Sequence, residues 1–553
     1  MILVELTAAV DATGELRTFY VADSKLVTTG ADTPAHTAFD ESLLDPGSIS
    51  VSAFGDGRTG GGTRLSLGQT RLANADGVYD EWMAYSFDGR AVVIRQGEPG
   101  GAYPTDYPAI FTGTAETLNF SLREVVVRLR DRQLIFDTPA LPVKYAGTNS
   151  LPDGLEGTAS DIKGQSKPRL FGGVALNIPA ILVNTSKLVY QINNGAVTEI
   201  VAVYDRGVSL TFGVDHATSE DLLAATIAGG VFDTCVSEGL FRLGGDPEGL
   251  VTADAAQGSD ASERTAAQII KALAMEAGVL EAEISADDVA ALDSDCPQPL
   301  ALWLSGEETF ARAMDMVAAS VGAFYGFDPA GTLRMARLAA PQGEPALILT
   351  SDDVIEPVER LPARDGDIPS WSVTVRHSKL WSVQASDLDA AVTPARRALL
   401  SSEYRSERAE DAAVKAQYLL AVEDIRDTLL VSAEDAALEA ERLLALYKTR
   451  NDLIRLSVPS SMVTEVGVKI MDVVAVTIPR FGMRYGRLFR LLGMELDMVR
   501  SRVALTLWGP TPPPLDDITA WLLDTYGFYF LDEVLTDPLD EAVNETYPEI
   551  AEV

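Results

Sequence analysis

Alternation of apolar and polar residues, the mark of a half-buried strand, runs through the first 145 residues. It recurs at Ile2–Leu6, Leu16–Val21, Ser48–Ala53, Thr63–Leu67, Ala91–Arg95, Ala109–Ala115 and Ser121–Leu129. The spacing and the turn residues between these runs predict a compact β domain over 1–145, barrel-like or sandwich-like. Within it, GQTRLANADGVYDEWMAYSFDGRAVVIRQG (68–97) reads as strand, turn, aromatic segment, turn, strand. The turns fall at Asn74-Ala75-Asp76-Gly77 and Asp88-Gly89, because Gly takes positive φ without penalty and Asp bonds back to its own backbone. Tyr79, Trp82, Tyr85 and Phe87 lie between them as an aromatic plug.

Residues 146–217 stay β-rich and predict a connecting domain, with KPRLFGGVALNIPAILVN entering as loop and strand. From 218 to 344 the period lengthens to that of a helix, giving an α+β module. SEDLLAATIAGG opens a helix with Ser219 as cap, followed by a strand pair around FRLGG and LVTADAAQG. SERTAAQIIKALAMEAG carries Ala266, Ile269, Ile270 and Leu273 at helical spacing, with Ser262 as its cap. ISADDVAALDSD forms a further helix, and Glu307 or Glu308 opens another that ends in Gly322. A hairpin then turns on Asp328-Pro329-Ala330-Gly331. Met314 and Met316 read as core. Residues 345–510 return to strands, with period two over Trp371, Val373 and Val375. Helical insertions are expected over Arg405–Val422 and, capped by Ser432, over SAEDAALEAERLLALYKTR. The sheet closes with VKIMDVVAVTIPRF, GRLFRLLGMELDM and SRVALTLWG, and then TPPP stops it. The class is α+β, predominantly β and multi-domain: two barrel-like β domains, an α+β module and a helical insertion.

Composition sharpens this picture. A chain of 553 residues with 47% apolar and 23% charged content supports several cores. A formal net charge of −37 argues against wrapping nucleic acid or docking on an anionic membrane. No apolar run reaches the eighteen residues of a membrane span, and no membrane anchor is expected. MILVELTAAV lacks a basic lead and reads as a first strand rather than a signal peptide. Cys235 and Cys296 read as two small buried hydrophobes, with no metal-ligand spacing. The tail, 511–553, holds no Lys, Arg or His, and mixes acids with Trp521, Tyr526, Phe528, Tyr529 and Phe530. Those aromatics are the candidate partner-binding residues, with docking onto the chain itself as the alternative.

Candidate chemistry is sparse. Gly55, Gly57 and Gly60 spell G-x-G-x-x-G, but strand rather than helix follows, against a dinucleotide site. Asn74, Asp76, Asp80 and Glu81 lack the spacing of a calcium loop. Lys163, Lys167 and Arg169 are the main basic cluster, read as a loop or protein contact rather than an anion site, since no helix N-terminus follows. His36, His216 and His377 are widely separated, and no H-E-x-x-H, G-x-S-x-G or P-loop occurs. A nucleophilic set assembled by folding stays open. Catalytic, cofactor-binding and metal residues are therefore expected to be none, with no cofactor.

Several stretches resemble the central hub protein of the tail tip or baseplate of long-tailed bacteriophages and related gene-transfer particles. They are LANADGVYDEWMAYSFDGRAVVIRQG (72–97), KPRLFGGVALNIPAILVN (167–184), VYDRGVSLTFGVDHATSEDLLA (203–224), LVTADAAQG (250–258) with TAAQIIKAL (265–273), LWLSGEETFARAMDMVAASVGAFYGFDPAGTLRMARL (302–338), WSVTVRHSKLWSVQ (371–384) and RFGMRYGRLFRLLGMELDMVRSRVALTLWG (480–509). The resemblance rests on their order and spacing. It implies a homotrimer with two barrel-like domains per chain, whose six barrels adapt a six-fold tail tube to a three-fold tip. It also implies a place in the virion, at the tail tip or baseplate, after assembly in the host cytoplasm. The implied neighbours are a distal-tail ring protein, the tape-measure C-terminus, and a central fibre or receptor-binding protein. DNA would pass without specific binding, since carboxylates repel phosphate. The rival readings are a tail-associated carbohydrate- or peptidoglycan-degrading enzyme and a direct receptor-binding tip protein.

Overall fold

A computed structural model describes residues 1–54, 60–361 and 368–512. It is mainly β, with helices gathered in the middle and later thirds. The N-terminal alternation forms one nine-stranded sheet. Its order is Leu26–Val27, Ala38–Glu41, Leu16–Ala22, Ile2–Ala9, Ala91–Gln96, Ala109–Phe120, Glu124–Arg130, Gln69–Ala73 and Leu43–Asp45. Neighbours are antiparallel except Leu16–Ala22 with Ala38–Glu41. The three short strands went unread because two to four residues carry too little periodicity. Val4, Leu6, Val92, Ile94, Val125 and Val127 turn one face into a core. The aromatic plug covers it: Asp80–Ala84 is a 3-10 turn that drops Trp82 into the core, 4.3 Å from Tyr79 and 4.9 Å from Phe19. Gly77 N–H donates to Asn74 O at 3.1 Å, closing the expected turn.

In the middle, strands from either side of residue 218 share sheets. Val174–Pro179 and Glu199–Asp205 flank Val251–Ala256, while Val189–Gln191 and Val231–Cys235 flank Leu240–Leu243. The expected pair of FRLGG with LVTADAAQG therefore does not form; each pairs with strands earlier in the chain, in separate sheets. Helices Ala266–Glu276, Ala286–Asp295 and Phe310–Val321 pack into the largest core with Met314 at its centre, and Met316 packs against it. Helices Ser219–Ala224, Ala266–Glu276 and Phe310–Val321 are capped by Thr218, Thr265 and Thr309, which accept the N–H groups of Asp221, Gln268 and Arg312. Ser219, expected as a cap, is the first helical residue, and the expected Ser262 lies in the separate short helix Ala261–Arg264. The helix expected to open at Glu307 or Glu308 starts at Phe310. In each helix the cap's extended backbone aims its hydroxyl at a free N–H of the first turn. Gly322 ends the last helix at φ 66° as expected, and Gly331 N–H donates to Asp328 O in the hairpin turn.

The C-terminal sheet runs Leu347–Thr350, Val473–Thr477, Arg487–Asp497, Arg502–Pro510, Asn451–Pro459 and Glu359–Leu361. Among the described residues neither large sheet closes into a barrel in its hydrogen-bonded order. Helix Ala433–Tyr447, capped by Ser432 as expected, lies against the strand Ser370–His377. The helix expected over Arg405–Val422 does not form as read. Arg405–Glu410 is a strand paired with Ser370–His377, Ala412–Gln417 is a short helix, and Val422–Asp427 is a strand on the other side. Arg, Glu and Ala favour helix by propensity, but Arg-Ser-Glu-Arg-Ala-Glu also alternates, and pairing beside a strand with buried Val373 and Val375 decides it.

Candidate functional site

The feature that ties the molecule together is a strap, residues 48–54 and 60–67. Ile49 and Val51 are buried, and their strand, Ser48–Ser52, pairs with Arg64–Leu67 on one side. On the other side it adds to the C-terminal sheet, Val51 opposite Met494 and Ile49 opposite Leu496. Arg487–Asp497 can serve two partners along one edge: its first residues pair with Val473–Val476, and a register shift between Leu491 and Gly493 precedes the segment that takes the strap. At the strap's tip, Gly61 and Gly62 pair in parallel with Phe324 and Tyr325. Gly62 N–H donates to Asp315 Oδ1 at 2.9 Å, which also accepts from Tyr325 Oη at 3.0 Å. Thr63 Oγ1 donates to Gln133 Oε1 at 2.9 Å. One short stretch is thus bonded into the central helical module and the C-terminal sheet while continuous with the N-terminal sheet.

The glycines here serve close approach. A Cβ on Gly60 would lie 2.7 Å from the Ala319 backbone, and one on Gly62 2.7 Å from Gln133 Nε2. Gly55 and Gly57 lie outside the described residues. A cavity of about 530 Å³ opens beside the strap, lined by Ile49, Val51, Phe324, Phe327 and Met494 among others. Two of the cations at its wall are engaged: Arg334 forms two hydrogen bonds with Asp288, and Arg490 donates to the Met471 carbonyl at 2.8 Å.

The other candidate residues stay apart. Lys167 pairs with Glu156 and sits over the Tyr145 ring at 5.2 Å; Arg169 pairs with Glu276; Lys163 is exposed. The three cations therefore point to different partners and leave no anion site. Asn74 Nδ2 donates to Asp80 Oδ1, and Asn74 Oδ1 accepts from Tyr79 N–H, so these side chains brace a turn. Among the described residues no group of three His, Cys, Asp or Glu is arranged to hold a metal. Cys235 and Cys296 are buried free thiols, and burial pushes the Cys296 thiol up to about 11. No helix among the described residues is long and apolar enough to cross a membrane. Trp521, Tyr526, Phe528, Tyr529 and Phe530 lie outside the described residues.

The most enzyme-like contact escaped the sequence reading, which took His377 as an ordinary strand residue. Its Nδ1 lies 2.8 Å from Ser378 Oγ, and its Nε2 3.8 Å from Glu407. This is not a nucleophilic set. Ser378 Oγ already donates to Val431 O at 2.9 Å, His377 is buried, and burial lowers its pKa. His216 pairs with Asp233 at 2.9 Å, and His36 is exposed. A second buried cluster fixes the start of the tail. Arg487, wholly buried, meets Asp452 at 2.8 Å, and Asp452 Oδ1 accepts from Thr511 Oγ1 at 3.0 Å.

No protein-family model matches the chain, and no curated protein matches it. Among solved structures, it is similar to the tail protein from Neisseria meningitidis MC58, at 12% identity, covering 89% of this chain and 96% of that one, with a TM-score of 0.38. It is similar to the 43 kDa tail protein of prophage MuSo2 from Shewanella oneidensis at 11% identity, covering 92% and 99%, with a TM-score of 0.39. A chain in the virion of a native gene transfer agent particle matches at 14% identity, covering 68% and 91%, with a TM-score of 0.39.

Proposed function

We propose that the chain is a structural protein of a phage-type tail, the hub of its tip or baseplate, acting as a homotrimer and not as an enzyme. The observation that carries this reading is the strap. It bonds a strand of the N-terminal region into the C-terminal sheet, so two strand-rich bodies are held side by side in one chain. Three chains then present six such bodies, the number that a six-fold tube would require. The ordered set of hub-like stretches between 72 and 509 supports the same assignment. The division into 1–145, 146–217, 218–344, 345–510 and 511–553 belongs to this proposal.

In this role the chain occupies the virion tail tip. It meets a distal-tail ring protein, the tape-measure C-terminus and a central fibre or receptor-binding protein, and lets DNA pass without specific binding. The aromatics Trp521, Tyr526, Phe528, Tyr529 and Phe530 are proposed to dock on one of these partners. Negative-stain imaging of the purified chain, with class averages sorted by symmetry, tests the proposal. Three-fold rings with a central opening are expected. Compact single particles that clear peptidoglycan would overturn it.

A further inference from the structure

The densest run of exposed aliphatic side chains among the described residues lies in 419–425. Leu419 is 91% exposed, Leu420 77%, Val422 42% and Ile425 54%. Val422 and Ile425 belong to the strand Val422–Asp427, and the two leucines stand just before it. This strand is one edge of the three-stranded sheet Arg405–Glu410, Ser370–His377, Val422–Asp427. Among the described residues no strand pairs with its outer side, and none pairs with the outer side of Arg405–Glu410. An edge strand with unpaired backbone groups and exposed aliphatic side chains in and beside it is a template for another strand, and folded proteins cover or block such edges.

The charges select what covers it. On the solvent face, Val422–Asp427 presents Glu423, Ile425 and Asp427, while Arg405–Glu410 presents Ser406, Arg408 and Glu410. The chain's own 511–553 segment holds no cation, so it would set acids against Glu423 and Asp427. Two copies of the same edge would do likewise. The opposite edge of another copy fits better, because Arg405–Glu410 runs antiparallel to Ser370–His377 and Val422–Asp427 runs parallel to it. A neighbour's Arg405–Glu410 can therefore add antiparallel to Val422–Asp427 without reversing the sheet. With Ile425 opposite Ser406, Glu423 faces Arg408, a pair already 3.7 Å apart within one chain.

We infer that the strand Val422–Asp427 of one chain receives the strand Arg405–Glu410 of a second copy, continuing the sheet head to tail. Such a contact is heterologous, and it closes into a ring when the rotation between copies allows. The inference rests on the trimer reading above and gives it an interface. Sedimentation of the full chain tests it, using Ile425→Lys to block one edge and Ser406→Glu to block the other. Ser406 lies opposite Arg376 within the sheet, so the new carboxylate has a cation beside it in the isolated chain.

Wild type is expected to sediment as a closed oligomer. Each variant should weaken self-association by about tenfold or more, with a melting temperature unchanged at dilutions where every chain is monomeric. In an equimolar mixture one pair of edges is intact and the other sets the I425K cation opposite the S406E carboxylate, so the mixture should recover self-association that neither variant shows alone. If Ile425→Lys misfolds, Leu420→Asp, in the turn before the strand, blocks that edge in its place. Variants that assemble as tightly as wild type would place the contact elsewhere, ending this inference while leaving a three-fold hub intact. A wild-type chain that stays monomeric at the highest attainable concentration would also end it. Imaging of assembled tails would then decide the hub reading separately.

Discussion

Glu439 sits buried between two guanidinium groups. Arg442 donates to its Oε1 at 2.8 Å, and Arg337 donates to its Oε2 from the neighbouring hairpin. Burial foremost, and then Arg442, push the Arg337 pKa down. Removing the carboxylate would leave two cations facing each other in a dry setting, which costs more than the pair contributes. Glu439→Ala is expected to lower stability by about 3–5 kcal/mol, read as a fall in the denaturant midpoint; a loss under about 1 kcal/mol would show that the site is wet. Glu439 was not legible as special, because a sequence with 81 Asp and Glu gives no reason to choose one. Cys296 was legible, since a lone thiol without ligand spacing has few uses beyond filling a core. The His377–Ser378 contact was not, as the turn that brings ring and hydroxyl together follows a strand end whose geometry the sequence does not fix.

Elements were read more faithfully than their edges. Helix Ala433–Tyr447 followed from an N-cap, acids in its first turn and leucines at helical spacing. Ser432 Oγ accepts from Asp435 N–H at 3.1 Å. Ser432→Ala should cost about 1 kcal/mol, measured as a shift in thermal unfolding, and Ser432→Asp should restore most of it. Arg405–Glu410 failed for the converse reason. Its residues satisfy both the helical propensity scale and the alternation of a strand, so only the neighbouring strand decides. The strap belongs here too: Ser48–Ser52 is legible as a strand, but its partners both lie later in the chain, Arg64–Leu67 nearby and Gly493–Asp497 close to the far end, and alternation names no partner.

At the scale of the whole molecule, charge sets the pH response. Burial raises Asp131 to about 6 from an ordinary 3.8, and burial raises Asp254 and Glu276 as well. A folded value above the unfolded one means the native state holds more protons between the two. This stabilisation is full below about pH 4 and is lost as pH rises through about 6. Relief of repulsion in a chain of net charge −37 acts in the same direction. The melting temperature should therefore rise as pH falls from about 7.5 to 5.5. Asp131→Asn, which keeps an acceptor for Gln133 N–H, should be more stable than wild type at pH 7.5 by on the order of 2 kcal/mol and about equal to it near pH 4. A constant difference across that range would refute the assignment to Asp131. By itself the sequence determined the predominance of strands, the helical middle, the aromatic plug and most turns, because periodicity, capping and glycine φ act over a few neighbouring residues. The tertiary structure alone decided which strands share a sheet, that the large sheets stay open among the described residues, that the strap joins distant segments, and that Lys163, Lys167 and Arg169 separate. Those outcomes depend on contacts far apart in the chain, where competing partners are weighed by the apolar area and charge each one buries.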